Sequence, residues 1–174
     1  VMKSILELRK AFDFNVQEAN SSVKYFKNRD IDFNVFLPTK GINLQRDLVW
    51  TLEQKRELIN SILIGRHIPP MAFINVIKNG SDERWLVIDG KQRLTTMFDF
   101  TDNKFTIEIE GNEYCFDELP SEYKMSINYY YFKYYVWNEE YGKPITDQEK
   151  INWFKFINFA GTPQDSEHIK KLEE

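Results

Sequence analysis

The strongest constraint on this chain is a change of period inside Arg84–Phe100, RWLVIDGKQRLTTMFDF. Trp85, Leu86, Val87 and Ile88 form a continuous run of apolar, β-branched and aromatic residues, which fits a buried strand. Leu94, Met97 and Phe98 then fall at i, i+3 and i+4, one face of a helix. Asp89-Gly90-Lys91-Gln92-Arg93 must turn the chain between the two. Gly90 permits a tight turn at the strand exit. Asp89 reads as the helix N-cap, with Gln92 three residues later in the capping-box position.

A strand that runs straight into a helix start has a chemical consequence. The first turn of a helix offers unpaired backbone N–H groups and the positive end of the dipole. Lys91 and Arg93 add two cations, and Thr95 and Thr96 add two hydroxyls, so the junction suits a phosphate or another small anion. An ordinary capped helix with solvated charges accounts for the same residues equally well. The segment is neither a Walker loop nor G-x-G-x-x-G.

The 174 residues suit a single domain, 1–174, with a real core. The net charge of −4 argues against a broadly basic nucleic-acid surface, though a local basic patch remains compatible with it. One cysteine, Cys115, excludes an internal disulfide framework and fits a reducing cytoplasm. In its hairpin Cys115 reads as a small buried residue rather than a nucleophile. No apolar run reaches the roughly 20 residues of a membrane span, and no secretion leader is evident. Two histidines and one cysteine, far apart, give no zinc site, and no metal ligands are assigned.

Helical spacing predicts amphipathic helices over Met2–Phe14 and Val16–Asn28. Thr51 and Gln54 form a capping box ahead of a helix ending at Leu63, stopped by Gly65 and Pro69-Pro70. Met71–Ile77 and Glu83–Ile88 read as strands joined by Asn79-Gly80-Ser81-Asp82. A second hairpin, Phe105–Ile109 with Glu113–Phe116, crosses Gly111-Asn112. Ile127–Trp137, INYYYFKYYVW, reads as a strand with aromatic side chains on both faces under helices, or as a stacking platform for nucleobases. Thr146 and Glu149 open a helix over Asp147–Phe159, and His168–Glu174 a last helix or frayed end.

D-G-K-Q-R-L-T-T resembles the D-G-Q-Q-R-x-T-T signature of the N-terminal domain of GmrSD-type, modification-dependent restriction enzymes, with Lys91 at the position of a family Gln. Two further segments carry the resemblance. Ile42–Trp50 is similar to a Y-Q-R-x-x-x-W segment through Gln45, Arg46 and Trp50. The stretch ending Asn158-Phe159-Ala160-Gly161-Thr162-Pro163 is similar to F-x-R-x-N-x-G-G-T-P-L, with Phe156 at the family Arg and Ala160 at a Gly. Together they cover about residues 32–167.

The resemblance implies an α+β, ParB/sulfiredoxin-like domain with a small mixed sheet and helices packed around it. It further implies nucleoside triphosphate binding, with hydrolysis assisted by magnesium. Asp89, Gln92, Arg93 and Arg46 would be catalytic. Gly90, Lys91, Thr95, Thr96, Gln45, Asn158, Gly161 and Thr162 would hold the nucleotide. Phe156 in place of the Arg implies binding ahead of turnover. Modified DNA or a separate nuclease subunit is the expected partner, because no HNH nuclease constellation follows in this chain. A non-hydrolysing nucleotide, DNA-binding or inhibitor module is the second expectation. A phosphotransferase acting on a small hydroxyl substrate is the third.

Overall fold

In the computed structural model, which describes residues 2–7, 15–160 and 166–173, the Arg84–Phe100 segment does change from strand to helix. It supplies β6 (Glu83–Asp89) and α3 (Lys91–Thr101). The other strands of the main sheet are β1 (Val16–Ser22), β2 (Ile31–Asp32), β5 (Met71–Ile77) and β9 (Tyr131–Asn138). Their order is β1-β9-β5-β6-β2, with β9–β5 and β6–β2 parallel and the other two pairings antiparallel. Short hairpins β3–β4 (Phe36–Leu37, Ile42–Asn43) and β7–β8 (Ile107–Ile109, Asn112–Tyr114) stand beside it. The helices are α1 (Val23–Phe26), α2 (Leu52–Leu63), α4 (Ser121–Asn128), α5 (Asp147–Ala160) and α6 (Ser166–Glu173). The fold is α+β.

The sheet buries side chains on both faces, which is why β5 and β6 read as continuous apolar runs rather than alternating ones. Phe73, Trp85, Val87, Phe132 and Tyr134 pack with Leu58, Ile59, Leu94, Met97 and Phe100 under α2 and α3. Ala72, Ile74, Leu86, Ile88 and Trp137 pack with Ile151, Trp153 and Phe154 of α5 on the opposite face. The Thr51 and Gln54 capping box forms, as does that of Thr146 and Glu149.

Besides the second hairpin, which turns at Glu110-Gly111 rather than Gly111-Asn112, four expectations change. Val16–Ser22 is a strand, because all seven residues pair with β9 while Asn20, Ser21 and Ser22 resist a helix. Ser22 then caps the single turn of α1, accepting from the Tyr25 N–H at 3.3 Å. In INYYYFKYYVW, Ile127 and Asn128 end α4, and the strand starts at Tyr131. Cys115 is half-buried and opens a 3-10 turn, its N–H donating to the Glu118 carboxylate at 2.8 Å. The fourth change, at the cap of α3, is part of the site below. Of the helix expected over Met2–Phe14, Ile5–Glu7 is helical and residues 8–14 lie outside the described residues.

Ile109 pairs with Asn112, so Glu110 and Gly111 form a two-residue turn with φ of 52° and 81°. Positive φ at both positions defines a type I′ turn, in which Asn-Gly is favoured and a long side chain at the first position is strained. Glu110→Asn is expected to stabilise the fold by about 0.5–1 kcal/mol. A shift of the urea midpoint at constant slope would show it.

Candidate functional site: the junction of β6 and α3

Three pieces of chain meet where β6 gives way to α3: the junction itself, the loop 33–35 and the segment 44–50. At the turn, Gly90 is the N-cap of α3, in left-handed backbone with φ of 103° and no side-chain cap. A Cβ at Gly90 would lie 2.5 Å from Met71 Cγ and 2.7 Å from its Sδ. Glycine is required there twice, by backbone angle and by space. This corrects the reading of Asp89 as N-cap and of Gln92 as its capping-box partner. The helix starts one residue later than that box needs, and both side chains bond elsewhere.

The Asp89 carboxylate accepts from Arg93 Nη2 at 2.9 Å, an i, i+4 pair across the first turn. Arg93 Nη1 donates to the Pro69 carbonyl, so the side chain, only 14% exposed, ties α3 to the start of β5. Gln92 reaches outward to the 44–50 segment. Its Oε1 accepts from the N–H groups of Val49 and Trp50 at 3.1 and 3.2 Å, and its Nε2 donates to the Asp47 carbonyl at 3.1 Å. Lys91 is buried. Its ammonium donates to Asn34 Oδ1 and to the Arg46 carbonyl, both at 2.8 Å. Gln45 is buried too, and its Nε2 donates to the carbonyls of Val87 and Ile88 at 2.8 and 2.7 Å.

The sheet explains the Gln45 contact. β2 accompanies β6 only as far as Leu86, and the β5–β6 register shifts between Phe73 and Ala72, opposite Val87–Asp89. The last carbonyls of β6 thus lack a regular partner on the outer side, and a buried amide supplies one. The 33–35 loop is held in the same way. The Asp32 carboxylate accepts from the N–H groups of Asn34 and Val35, both at 2.9 Å. Val35 stands at φ 54°, strained for a β-branched residue.

Beside the junction lies an open cleft of about 520 Å³. Lys91, Thr95, Phe98 and Asp99 of α3 and Asp102 at its C-terminal cap line one wall, with Phe33, Asn34, Asp47 and Leu48 opposite. Phe33 and Phe98 meet edge to face at 6.1 Å. Lys104 neutralises Asp99 at 2.7 Å, and Lys27 neutralises Asp102. Of the expected site residues that are described, only Lys91 and Thr95 reach the cleft wall. Asp89, Gly90, Gln92, Arg93, Thr96 and Gln45 serve the junction behind it, Thr96 Oγ1 donating to the Gln92 carbonyl at 2.7 Å. Arg46 adjoins the wall through Asp47, and its guanidinium makes no hydrogen bond or ion pair among the described residues. Asn158 lies on α5, where its Nδ2 donates to the Phe154 carbonyl at 2.7 Å. Gly161 and Thr162 lie outside the described residues. Among the described residues no cluster of three or more His, Cys, Asp or Glu is placed to hold a metal ion.

The sequence held a signal for the missed wall. Lys91, Thr95, Phe98, Asp99 and Asp102 recur at i, i+4, i+7, i+8 and i+11, a single stripe beside the apolar one. Asp32 and Asn34 carry the mark of a side-chain-stabilised turn.

Gly90→Ala is expected to destabilise the fold by about 2–4 kcal/mol through backbone strain and the clash with Met71. Gly65 also has positive φ but open space around it. Gly65→Ala, losing only the backbone term, should cost about 1 kcal/mol. Urea unfolding of the two variants separates the contributions. A second expectation concerns Lys91. Burial holds its pKa below the ordinary 10.5, against the opposing pull of Asp47 and Asp32. The unfolded chain therefore binds this proton more tightly, and stability from this group rises with pH between the folded pKa and 10.5. Below that window Lys91 is charged in both states and its burial costs most. Lys91→Met removes the titration, so wild type should gain on the variant as pH rises through the folded pKa towards 10.5. Denaturant midpoints across that range are the measurement.

A family model described as the N-terminal domain of the GmrSD restriction endonuclease matches residues 22–173. No curated protein and no solved structure matches the chain. The match takes in the β6–α3 junction, both loops that meet it and the helix carrying Asn158, and the chain belongs to the GmrSD restriction endonuclease N-terminal domain family.

Proposed function

We propose that this chain is a nucleotide-binding module of a restriction system directed at modified DNA, built on a ParB/sulfiredoxin-like plan, and that the cleft beside α3 receives the nucleotide. The observation that carries the reading is the cleft's two-part lining at a helix start without a side-chain cap. Phe33, Phe98 and Leu48 offer an apolar wall for a base, and Lys91, Thr95 and the nearby Arg46 offer donors to phosphate oxygens. The Arg46 guanidinium can present its planar fork to a phosphate. The volume, about 520 Å³, is in the range that small-molecule sites occupy.

A magnesium ion fits this site only as a passenger of the nucleotide. Mg²⁺ commonly binds through one or two carboxylates together with substrate phosphates, and Asp47 is the carboxylate at hand. Bound there, it would neutralise phosphate charge. The protein's own part is to orient the phosphates with Lys91, Thr95 and Arg46 and to hold the loops that shape the cleft.

A second reading, binding without turnover, is favoured by one specific observation. The side-chain groups of Gln92, Arg93 and Asp89 are engaged with backbone or with each other. As arranged, Gln92 and Arg93 are not left to orient an attacking water, and Asp89 keeps only its second carboxylate oxygen. Hydrolysis would require that network to open.

A thermal-shift panel of ATP, GTP, CTP and UTP with magnesium tests the proposal. A nucleotide at about 100 times its Kd adds roughly 2.7 kcal/mol of stability. For a chain of this size that is a rise in Tm of roughly 5–10 °C. The rise should fall steeply in Arg46→Ala and Thr95→Val and persist in Lys155→Ala on α5. No shift with any nucleotide, or a shift indifferent to the cleft variants, would overturn the assignment. Phosphate release by wild type then separates turnover from binding alone.

A further inference from the structure

The aromatic run of β9 is only half consumed by the core. Phe132, Tyr134 and Val136 are buried, whereas Tyr131 is 71% exposed and Tyr129, just before the strand, 50%. The register sets Tyr131 opposite Ser22, the residue that caps α1. The start of β9 therefore lies beside the helix that carries Lys24 and Tyr25. Lys24 Nζ stands 3.5 Å from the Tyr129 hydroxyl and 5.6 Å from its ring centroid. The Arg29 guanidinium lies 5.3 Å from the ring of Tyr25, itself 64% exposed, and 3.9 Å over Trp85. Among the described residues neither Lys24 nor Arg29 is recorded in an ion pair. Lys133 follows on the exposed side of β9, with Glu18 at 2.7 Å. Asp30, next to Arg29, already serves both Lys78 and Arg84. This end of the sheet thus carries surplus positive charge in a chain whose net charge is −4.

Exposed rings with cations set against them have a distinct chemistry. Each ring offers a face on which a base can stack, and each cation meets the backbone that links the bases. A duplex hides base faces in its own stack and would use only the cations. Tyrosine hydroxyls and ammonium groups are also a poor match for an aliphatic protein partner. We propose that the surface formed by Tyr25 and Tyr129 with Lys24 and Arg29 binds single-stranded nucleic acid. It is separate from the cleft beside α3 and does not rest on the nucleotide reading.

Fluorescence anisotropy with a labelled oligodeoxythymidine of about 15 nucleotides, at low salt, is the test. Tyr25→Ala and Tyr129→Ala should each weaken binding about tenfold, as loss of one stacked base implies. Tyr129→Phe, which keeps the ring, should stay near wild type. Lys24→Gln should lower the slope of log affinity against log salt by about 0.7. A duplex of equal length should bind more weakly, and saturating nucleotide should not displace the strand. The tyrosines are exposed, so unchanged Tm in their variants separates lost binding from lost fold. No binding by wild type, affinity indifferent to the tyrosine variants, or preference for the duplex would overturn the proposal.

Discussion

The close approach of the Gly90 backbone to the Met71 side chain is the contact on which the rest of the junction depends. It allows β6 to end and α3 to begin with a single residue between them. Because the turn is that short, Lys91 and Gln92 emerge on the first turn of α3 facing the irregular segment 44–50, while Arg93 faces the start of β5. A longer connection would rotate the helix start and separate these side chains from their carbonyl and N–H partners.

Those partners explain why polar residues cluster at a half-buried place. The 44–50 segment has no helix or strand to satisfy its backbone, yet it covers the end of the sheet. Gln92 serves three of its backbone groups and Lys91 a fourth, and Gln45 returns two bonds to β6. Each bond contributes only about 0.5–1.5 kcal/mol net, but leaving a buried partner unmet costs about 1–3 kcal/mol. The D-G-K-Q-R run is in this light a substitute for missing secondary structure. Of that run only Lys91 also reaches the cleft, whose walls are otherwise formed by its neighbours along the helix and in the loops.

Legibility in the sequence followed the strength of each signal. The β5–β6 hairpin, the β6–α3 switch and the α2 capping box were readable because apolar period, turn residues and caps agree within a few residues of one another. Strand β1 was misread because its pairing partner, β9, lies more than a hundred residues away. Local spacing through Val16, Val23 and Phe26 imitated a helix. The roles of Gln92 and Arg93 were hidden for a similar reason. Their partners at Asp47–Trp50 and Pro69–Pro70 are distant in sequence, and most are backbone groups that no side-chain pattern announces. The stripe of α3 that lines the cleft was legible in period but was eclipsed by the signature at the helix start.

The arrangement also bears on Phe156, which stands where an arginine is expected. Phe156 is 64% exposed, whereas Asn158, two residues along α5, is buried. Residues two apart on a helix do not share a face, so a cation at 156 would lie on the solvent side of α5. That helix packs on the sheet face opposite α3, so substituting Phe there changes little in the field of the cleft. What sets the field is closer at hand. Lys104 and Lys27 offset Asp99 and Asp102, which leaves Asp47 against Lys91 and Arg46. Lys91 is committed to Asn34 and to the Arg46 carbonyl, and burial already weighs against its charge. Among the described residues the cation left without a side-chain partner beside the cleft is therefore the Arg46 guanidinium, held by a segment whose backbone Gln92 and Lys91 fix in place.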